Sequence, residues 1–371
     1  MKIAYYMPFK PMGHTNPSGD LITGTELHNH LLSRGHEIHL ASRLRCRWIY
    51  FRPFRMLHLF RERHRLCNVY NSGPPDLWLS YHSYYKAPDL LGAFCSKKLD
   101  IPYVVFQGIY STKRRKKLKS LPGFLLNRRV LLSAAHVFTN KRRDHANLIR
   151  LLAKDRLSYI APGIDPQTFT FSSTSRSEQR KKWGVGDEIV VMTAAMMRPG
   201  VKTAGLSQVI RSCKDLLLSG VNLRLVIVGD GSNREELEQQ ASQLPAKSVL
   251  FVGRIDRREL FHYYSAADIF AFPGIEESLG MVYLEAQSCG LPVVAFEDWG
   301  GGEAVLHRRT GLLSPAASVS EFTTNIRILA ENGELRLRLA EAAKGHIRQN
   351  HDLKKNYHQL EQKLISLRRR N

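Results

Sequence analysis

The sequence predicts an α/β protein with two Rossmann-like, doubly wound domains. Its 371 residues are too many for one hydrophobic core and suit two domains of roughly 150 to 200 residues each. Short β-branched or aromatic runs alternate with amphipathic stretches along the chain, and this alternation is typical of parallel sheets covered by helices. The alternation restarts once, after a segment rich in Pro, Ser and Thr at 161–179.

Candidate strands recur through both halves of the chain. In the first half they are KIAYYM, EIHLAS, DLWLSY, PYVVFQG, HVFTN and LSYIAP, and in the second half EIVVMTAA, LRLVIVGDG, SVLFVGR, DIFAFPG and LPVVAFE. We predict an N-terminal domain at 1–162, a C-terminal domain at 163–349, and a C-terminal helix at 350–371 that packs back on the N-terminal domain. Ligands of such sheets lie beyond the carboxyl ends of the strands, so we expect a site in a cleft across which the domains face each other.

Positive charge is concentrated in the first domain. Residues 1–162 hold 28 basic and 9 acidic side chains, net +19, whereas the remaining residues hold 27 and 24, net +3. Such a field attracts anionic partners, including nucleic acid and anionic bilayers, but does not determine the fold.

The cysteines and the apolar runs indicate in which cellular compartment the protein is expected. The five cysteines are scattered, without CxxC pairs or zinc-site spacings, which favours a reducing cytoplasm. The N-terminus, MKIAYYMPF, reaches a proline after few apolar positions and therefore predicts a first strand rather than a signal peptide. No apolar run approaches the roughly 20 residues that span a bilayer. We expect a cytoplasmic protein with peripheral membrane contact.

The run EESLGMVYLEAQSCGLPV at 276–293 contains the strongest functional signal. Glu277 and Glu285 stand eight positions apart, after the candidate strand DIFAFPG and at the start of a candidate helix. First-turn amides of such a helix lack intrahelical partners and suit a diphosphate. The amides concerned belong to Gly280, Met281 and Val282. Glu285, further along, is suited to accept hydrogen bonds from a ribose diol, as the acidic residue of dinucleotide-binding folds does.

This run resembles the Glu-x7-Glu signature of the retaining glycosyltransferases of family 4, which reads much like EGFGLVxLEAMAxGxPV. That family has the GT-B fold, in which the C-terminal lobe binds the nucleotide sugar and the N-terminal lobe binds the acceptor. The resemblance implies that Glu277 contacts the transferred sugar and that Glu285 contacts the ribose. It also implies transfer with retention of anomeric configuration, by front-face attack in which the donor phosphate helps to remove the acceptor proton.

Other segments resemble the family in the same order along the chain. By this resemblance Arg198 and Lys202, in AAMMRPGVKT, contact the donor diphosphate, and Gly231 lies in a Gly-Asp-Gly turn after a strand. Arg254 and Ile255, after SVLFVG, stand where the family contacts the base.

The resemblance covers nearly the whole chain, strongly from about 160 to 315 and weakly from 43 to 130. APGID at 161–165 resembles the segment that enters the second lobe, and GGGEAV at 300–305 resembles a family turn. SRGHEI at 33–38 resembles the end of the first helix, and counting back from it aligns Gly19 with a loop that approaches the donor phosphates.

Two features bear on the chemistry. The sequence contains no Asp-x-Asp run, so we expect no metal and no cofactor besides the nucleotide sugar, with Arg198, Lys202 and helix amides stabilising the leaving diphosphate. Many family members place a histidine on the donor sugar after the strand that here reads PYVVFQG, but this chain has Gln107, which forms hydrogen bonds without exchanging a proton near neutral pH. His82, at the end of the preceding candidate strand, is another candidate sugar or acceptor contact.

Two basic segments of the first domain point to the acceptor side. Residues 43–65 contain eight arginines interleaved with aromatic and aliphatic residues, and KRRKKLK at 113–119 adds six basic residues. Basic and aromatic residues together suit the surface of an anionic leaflet. A solvated basic face, with part of 43–65 as a mobile acceptor loop, is the alternative.

Together these patterns predict a nucleotide-sugar-dependent hexosyltransferase that favours a UDP-sugar and acts on a lipid-linked envelope glycan such as a lipopolysaccharide core. Alternatives are a sugar-nucleotide epimerase or a phosphorylase on the same fold. A basic nucleic-acid-binding protein is a weaker alternative, because the sequence shows no nucleic-acid-binding motif and the second domain would remain unexplained.

Overall fold

The computed structural model describes residues 1–14 and 19–368. The chain forms two compact units. Unit 1 contains Met1–Ala161 and the described residues from Lys354 onward, and unit 2 contains Pro162–Leu353. Each unit contains a six-stranded sheet in which every pairing between strands is parallel.

In the sheet of unit 1 the first strand is an inner strand: the second strand lies on one side of it, and the third to sixth strands follow on the other side. In spatial order the strands are β2 (Glu37–Leu40), β1 (Lys2–Tyr6), β3 (Leu77–Ser83), β4 (Tyr103–Gly108), β5 (His136–Thr139) and β6 (Leu157–Tyr159). The connecting helices are α1 (Gly19–Ser33), α2 (Pro53–Asn71), α3 (Gly92–Leu99), α4 (Leu121–Ser133) and α5 (Arg142–Leu148). Every residue of β3 and β4 is buried, as expected for central strands of a parallel sheet covered on both faces.

The sheet of unit 2 has the strand order 3-2-1-4-5-6 of dinucleotide-binding folds. Its strands, in that spatial order, are β9 (Val249–Gly253), β8 (Leu223–Val228), β7 (Ile189–Ala194), β10 (Ile269–Ala271), β11 (Val293–Phe296) and β12 (Gly311–Ser314). The helices are α6 (Ser173–Trp183), α7 (Val201–Leu218), α8 (Arg234–Ala241), α9 (Leu260–Ala266), α10 (Met281–Ser288), α11 (Gly300–Ala304), α12 (Val319–Glu331) and α13 (Gly333–Asn350).

The eleven strands that the sequence predicts are confirmed, and the structure adds three features that the pattern does not reveal. The strand β12 has only four residues and lacks a β-branched run, so it gives no clear strand signal. The Ser-rich part of the predicted linker begins helix α6, because the Ser172 hydroxyl accepts a hydrogen bond from the amide of Ser175 and caps the helix. Much of the arginine-rich segment at 43–65 lies in α2.

A last helix, α14 (Leu353–Leu367), packs against unit 1 through a buried carboxylate. Glu361 is 3% exposed, and its carboxylate lies 2.8 Å from His36 Nε2 and 3.2 Å from both Arg34 Nε and His358 Nδ1. Burial raises the pKa of Glu361, but its hydrogen bonds to His36, His358 and Arg34 together lower the pKa by more. The net pKa is therefore below its ordinary value. Glu361 is therefore ionised at neutral pH and holds α14 against the segment between α1 and β2, which contains Arg34 and His36.

We predict that Glu361→Gln loosens α14. Loss of one charged hydrogen-bonding group should increase the hydrogen-exchange rates of the α14 amides by roughly tenfold at neutral pH. Because the pKa of Glu361 is lowered, its contribution is present at neutral pH and is lost as the pH falls through that lowered pKa, so the difference from wild type should shrink in acid. The control is Glu37→Gln, at an exposed carboxylate bonded to His39. Equal exchange in both variants would contradict the anchoring role.

Candidate functional site

The reversal of strand order in unit 2 brings two charged segments together. Strands β7 and β10 are neighbours, and their chain connections leave in opposite directions across the sheet. The segment 195–200 follows β7 and leads into α7, while the segment 272–280 follows β10 and leads into α10. In open α/β sheets this switch point is where ligands bind.

Lys202 and Glu277 meet at this switch point. The Lys202 ammonium donates a hydrogen bond to Glu277 Oε2 and lies 5.2 Å from the centre of the Phe272 ring. Glu277 Oε1 accepts a hydrogen bond of 3.2 Å from the amide of Ser278. The side chains of Lys202 and Glu277 are 24% and 22% exposed, so a ligand can reach a fixed cation and a fixed carboxylate side by side.

The segment that presents Glu277 follows a constrained backbone path. Gly274, Glu276 and Gly280 have φ values of 66°, 53° and 62°, in the left-handed region. A Cβ at Gly274 or Gly280 would collide with Tyr283, whose hydroxyl donates a 3.0 Å hydrogen bond to the Phe272 carbonyl. The two glycines therefore let the segment fold closely over a buried tyrosine.

Helix α10 begins directly after this segment. Gly280 is its N-cap residue, and Met281 and Val282 occupy its first turn. The first-turn amides of a helix point away from its own hydrogen-bond ladder and carry the positive end of the helix dipole. The start of α10 can therefore receive an anion beside Lys202.

Glu285 lies in a different environment, inside unit 2. It is 3% exposed, and its carboxylate accepts hydrogen bonds of 2.8 Å from Arg257 Nε and 3.2 Å from the Tyr264 hydroxyl. Burial, and then the charge of Glu285, raise the pKa of Tyr264 well above its ordinary value, which keeps that hydroxyl a donor. Arg257 is 28 positions from Glu285, and the sequence alone does not indicate this pairing.

The other predicted donor residues lie on neighbouring segments of unit 2. Arg198 is exposed in the segment after β7, while Arg254, exposed, and Ile255, partly buried, follow β9. Gly231 follows β8 with φ 155°, and a Cβ there would collide with the Met197 carbonyl. The glycine thus permits a close backbone approach between the segments after β7 and β8.

Unit 1 places buried polar side chains at the carboxyl ends of its central strands. His82 on β3 and Gln107 on β4 have φ values of 70° and 59°, which are rare for residues other than glycine and cluster at functional sites. Gln107 Nε2 donates a 3.0 Å hydrogen bond to Asn140 Oδ1. Within 1–14 and 19–368, the buried atoms Gln107 Oε1 and His82 Nε2 have no hydrogen-bond partner. Such unpaired buried groups are costly unless a ligand or water satisfies them.

The start of α1 lies close to His82. Asp20 Oδ1 is 3.4 Å from His82 Nδ1. Burial alone raises the pKa of Asp20, but His82, Lys141 and Lys10 outweigh it and the pKa falls to about 2. Gly19, which begins the helix, is exposed, and no described atom lies within 4 Å of the position its Cβ would take. The space beside Gly19 is therefore open within the described structure.

The predicted site residues thus form several groups. The structure brings Lys202 and Glu277 into contact, and α10, with its first-turn amides, begins four residues after Glu277. It separates Glu285, which pairs with Arg257 and Tyr264. Asp20, Asn140 and Arg257 are contacts that the sequence does not single out, because each depends on a partner distant in the chain. Among residues 1–14 and 19–368, no group of three or more His, Cys, Asp or Glu side chains is arranged to hold a metal ion.

Parts of the chain are similar in sequence to known proteins. Residues 175–346 match the family model Glycosyl transferases group 1. The chain is 35% identical over 178 residues to a GDP-mannose-dependent alpha-(1-6)-phosphatidylinositol monomannoside mannosyltransferase of Mycolicibacterium smegmatis, an alignment that covers 46% of each protein. It is 28% identical over 287 residues to a D-inositol 3-phosphate glycosyltransferase of Xylanimonas cellulosilytica, covering 71% of this chain and 66% of the relative. The matches therefore span about half to two thirds of the lengths of these relatives.

A solved structure extends the likeness to the whole chain. Anabaena Alr3699/HepE in complex with UDP has a TM-score of 0.75 and 20% identity, and the match covers 99% of this chain and 100% of that one. At this identity the likeness concerns the fold, and it confirms the predicted α/β architecture of two Rossmann-like units. The Lys202–Glu277 contact, the α10 amides and Glu285 all lie within the matched range 175–346. The family match thus concerns residues 175–346, which include this part of the site.

Proposed function

We propose that this protein is a glycosyltransferase that moves a sugar from a nucleotide-sugar donor to a lipid-linked acceptor. The observation that carries this proposal is the Lys202–Glu277 contact at the switch point of unit 2, inside the matched family domain. A cation for a leaving diphosphate and a carboxylate for sugar hydroxyls are what glycosyl transfer from a nucleotide sugar requires.

In this proposal unit 2 binds the donor. Lys202, Arg198 and the amides at the start of α10 stabilise the charge that grows on the leaving diphosphate, and one fixed donor of this kind contributes about 3 to 4 kcal/mol to a transition state. Glu277 accepts hydrogen bonds from the transferred sugar. Glu285, the second glutamate of the Glu-x7-Glu run, is proposed to contact the ribose diol. The residues proposed to line the remainder of the nucleotide site are Gly231, Arg254 and Ile255.

The identity of the base is a separate proposal. The sequence favours a UDP-sugar, but the printed name of the Mycolicibacterium smegmatis relative specifies GDP-mannose, so the UDP preference lacks support from that relative. We therefore propose a GDP-sugar as the donor, with GDP-mannose as the first one to test.

Unit 1 is proposed to bind the acceptor. The unpaired polar atoms of His82 and Gln107 suit the hydroxyls of a sugar or cyclitol, and Gly19 leaves open space beside them. The two relatives' names specify a phosphatidylinositol mannoside and an inositol 3-phosphate. These names favour a phosphorylated inositol acceptor over the lipopolysaccharide core expected from the sequence.

We also propose that unit 1 docks on an anionic membrane at its cytoplasmic face. None of the described helices is long and apolar enough to cross a bilayer. Phe54 on α2 and Leu118 in the basic segment 113–119 are each 88% exposed among cationic side chains. Tyr85 contacts residues near both regions. The Arg114 guanidinium lies 4.6 Å from the centre of the Tyr85 ring, and the Tyr85 carbonyl accepts a 3.0 Å hydrogen bond from the Tyr50 hydroxyl, just before α2. Each of the two regions therefore exposes an apolar side chain among basic groups, a combination that suits an anionic bilayer surface.

The ribose role of Glu285 predicts a specific loss of nucleotide affinity. Glu285→Gln should weaken GDP binding roughly tenfold, because a charged hydrogen-bond acceptor contributes about 1.5 to 3 kcal/mol. Calorimetric titration with GDP and with UDP measures this loss and also identifies the preferred base. The matched control is Glu276→Gln, at an exposed carboxylate in the same run. Equal GDP affinity in both variants, with unchanged melting of the unliganded proteins, would remove the ribose assignment.

The role of Lys202 predicts a loss of turnover. Lys202→Gln should lower kcat for acceptor-dependent GDP release about 100-fold, the effect of removing one donor to a developing anion, with a much smaller change in the KM for the donor. Glu277→Gln should lower kcat as well, because it loses the charged contact to the sugar.

The control for turnover is Lys181→Gln, at an exposed lysine of unit 2. Wild-type kcat in Lys202→Gln would contradict the proposed mechanism. The same assay with EDTA should give an unchanged rate, and activity that returns only with added Mn²⁺ or Mg²⁺ would contradict metal independence.

If unit 1 docks on anionic membranes, its binding to vesicles should depend on the salt concentration. Wild-type protein should co-sediment with anionic vesicles more than with neutral vesicles, and the difference should shrink as salt screens the charges over about 8 Å at physiological ionic strength. Replacing both Phe54 and Leu118 by Ser should reduce the salt-resistant part of the binding, whereas Leu337→Ser, at a 73% exposed residue of unit 2, should not. Absence of any preference for anionic vesicles would contradict docking, and tighter binding to RNA would support the nucleic-acid alternative.

A further inference from the structure

Unit 1 contains an arginine-lined pocket apart from the polar groups at the ends of β3 and β4. Its volume is about 590 Å³, and it lies between residues 42–45, which follow β2, and residues 54–65 of α2. Four arginines line it: Arg43, Arg45, Arg55 and Arg65. The only carboxylate in the lining is that of Glu62.

The Glu62 carboxylate already has hydrogen-bond partners within the protein. Glu62 accepts hydrogen bonds of 2.9 Å from both Nε and Nη2 of Arg65, and one of 2.7 Å from the Ser42 hydroxyl. The hydrogen bond from Arg65, and after it the one from Ser42, lower the pKa of Glu62 against the opposing effect of burial. Arg65 is therefore neutralised within the protein.

The other three arginines are not neutralised. Across 1–14 and 19–368, no carboxylate forms an ion pair with Arg43, Arg45 or Arg55. Burial lowers the pKa of Arg45, and the charges of Arg47 and Arg55 lower it further, which is the sign of cations crowded together. Gathering these charges in one pocket costs folding free energy. An anion bound among them would offset that cost.

One of the three arginines is held in place by the backbone. Arg45 Nε donates a 3.1 Å hydrogen bond to the Phe9 carbonyl, which fixes the guanidinium without neutralising it. Planar guanidinium groups pair with phosphate oxygens through two parallel hydrogen bonds. A fixed, unneutralised Arg45 beside two further unneutralised arginines therefore favours a phosphate over a diffuse layer of counterions.

The border of the pocket indicates where the phosphate comes from. Phe54 lines the pocket and is 88% exposed, so an apolar side chain projects into solvent directly beside the arginines. A phosphate that is attached to a lipid presents an anionic group and an apolar chain in the same juxtaposition. A free phosphate ion has no apolar part to contact Phe54.

We propose that this pocket binds the phosphate of the acceptor's lipid headgroup, through Arg43, Arg45 and Arg55. The choice of ligand rests on the proposed transferase function, which it deepens by requiring an acceptor that bears a phosphodiester. The phosphate then holds the headgroup on unit 1 while Phe54 contacts the lipid chain.

The test is direct binding to the full-length protein at physiological ionic strength. The probes are glycerophosphoinositol, which is a phosphodiester headgroup without acyl chains, together with inositol and inorganic phosphate. Wild type should bind glycerophosphoinositol more tightly than either of the other two. Replacing both Arg43 and Arg55 by Gln should weaken that binding at least tenfold, while the Kd for GDP stays unchanged.

The matched control removes two exposed charges on α3 of unit 1, by Lys97→Gln and Lys98→Gln, and should change the Kd for glycerophosphoinositol less than twofold. Equal weakening in the control would overturn the pocket, because it would show a general charge effect. Inositol that binds as tightly as the phosphodiester would also overturn it, and inorganic phosphate that does so would indicate a free-phosphate site. Arginine-dependent binding without any sugar transfer would leave the pocket in place and refute the transferase function instead.

Discussion

The reversal of strand order between β7 and β10 determines where unit 2 places its charged groups. Because the chain leaves these neighbouring strands in opposite directions, the segments that follow them open a crevice at one edge of the sheet. Lys202 enters it from the start of α7, and Glu277 enters it from the segment before α10. The close packing of Gly274 and Gly280 on Tyr283 then fixes the path of the second segment. The proposed chemistry depends on this arrangement of backbone more than on any one side chain.

The extent to which the sequence predicts this structure follows from the range of each interaction. Strand periodicity is local, so the sequence reveals eleven strands but not the short β12. The Glu-x7-Glu run is also local, and it indicates a segment that the fold places at the switch point of unit 2. The partner of Glu285 is not predictable, because Arg257 reaches it only when α9 packs beside α10. The approach of Asp20 to His82 likewise requires the sheet of unit 1 to form first.

The charge asymmetry of the chain has a structural counterpart. Unit 2 pairs its central cation internally, as the contact of Lys202 with Glu277 shows. Unit 1 leaves Arg43, Arg45 and Arg55 without carboxylate partners among the described residues, and it exposes Phe54 beside them. This asymmetry fits the proposed function, in which the nearly balanced unit would hold a nucleotide sugar and the cationic unit would hold a phosphorylated acceptor at a membrane. The sequence shows the excess of charge, but only the fold shows that part of it converges on one pocket.

The product of the reaction tests this account most directly. The protein would be incubated with GDP-mannose and vesicles that contain phosphatidylinositol or its mannosides, and the lipids would be analysed by mass spectrometry and NMR. The account predicts a glycolipid that gains one hexose, with equimolar release of GDP and with the anomeric configuration of the donor retained. A donor that is epimerised without acceptor, or hydrolysed with no sugar on any lipid, would contradict it.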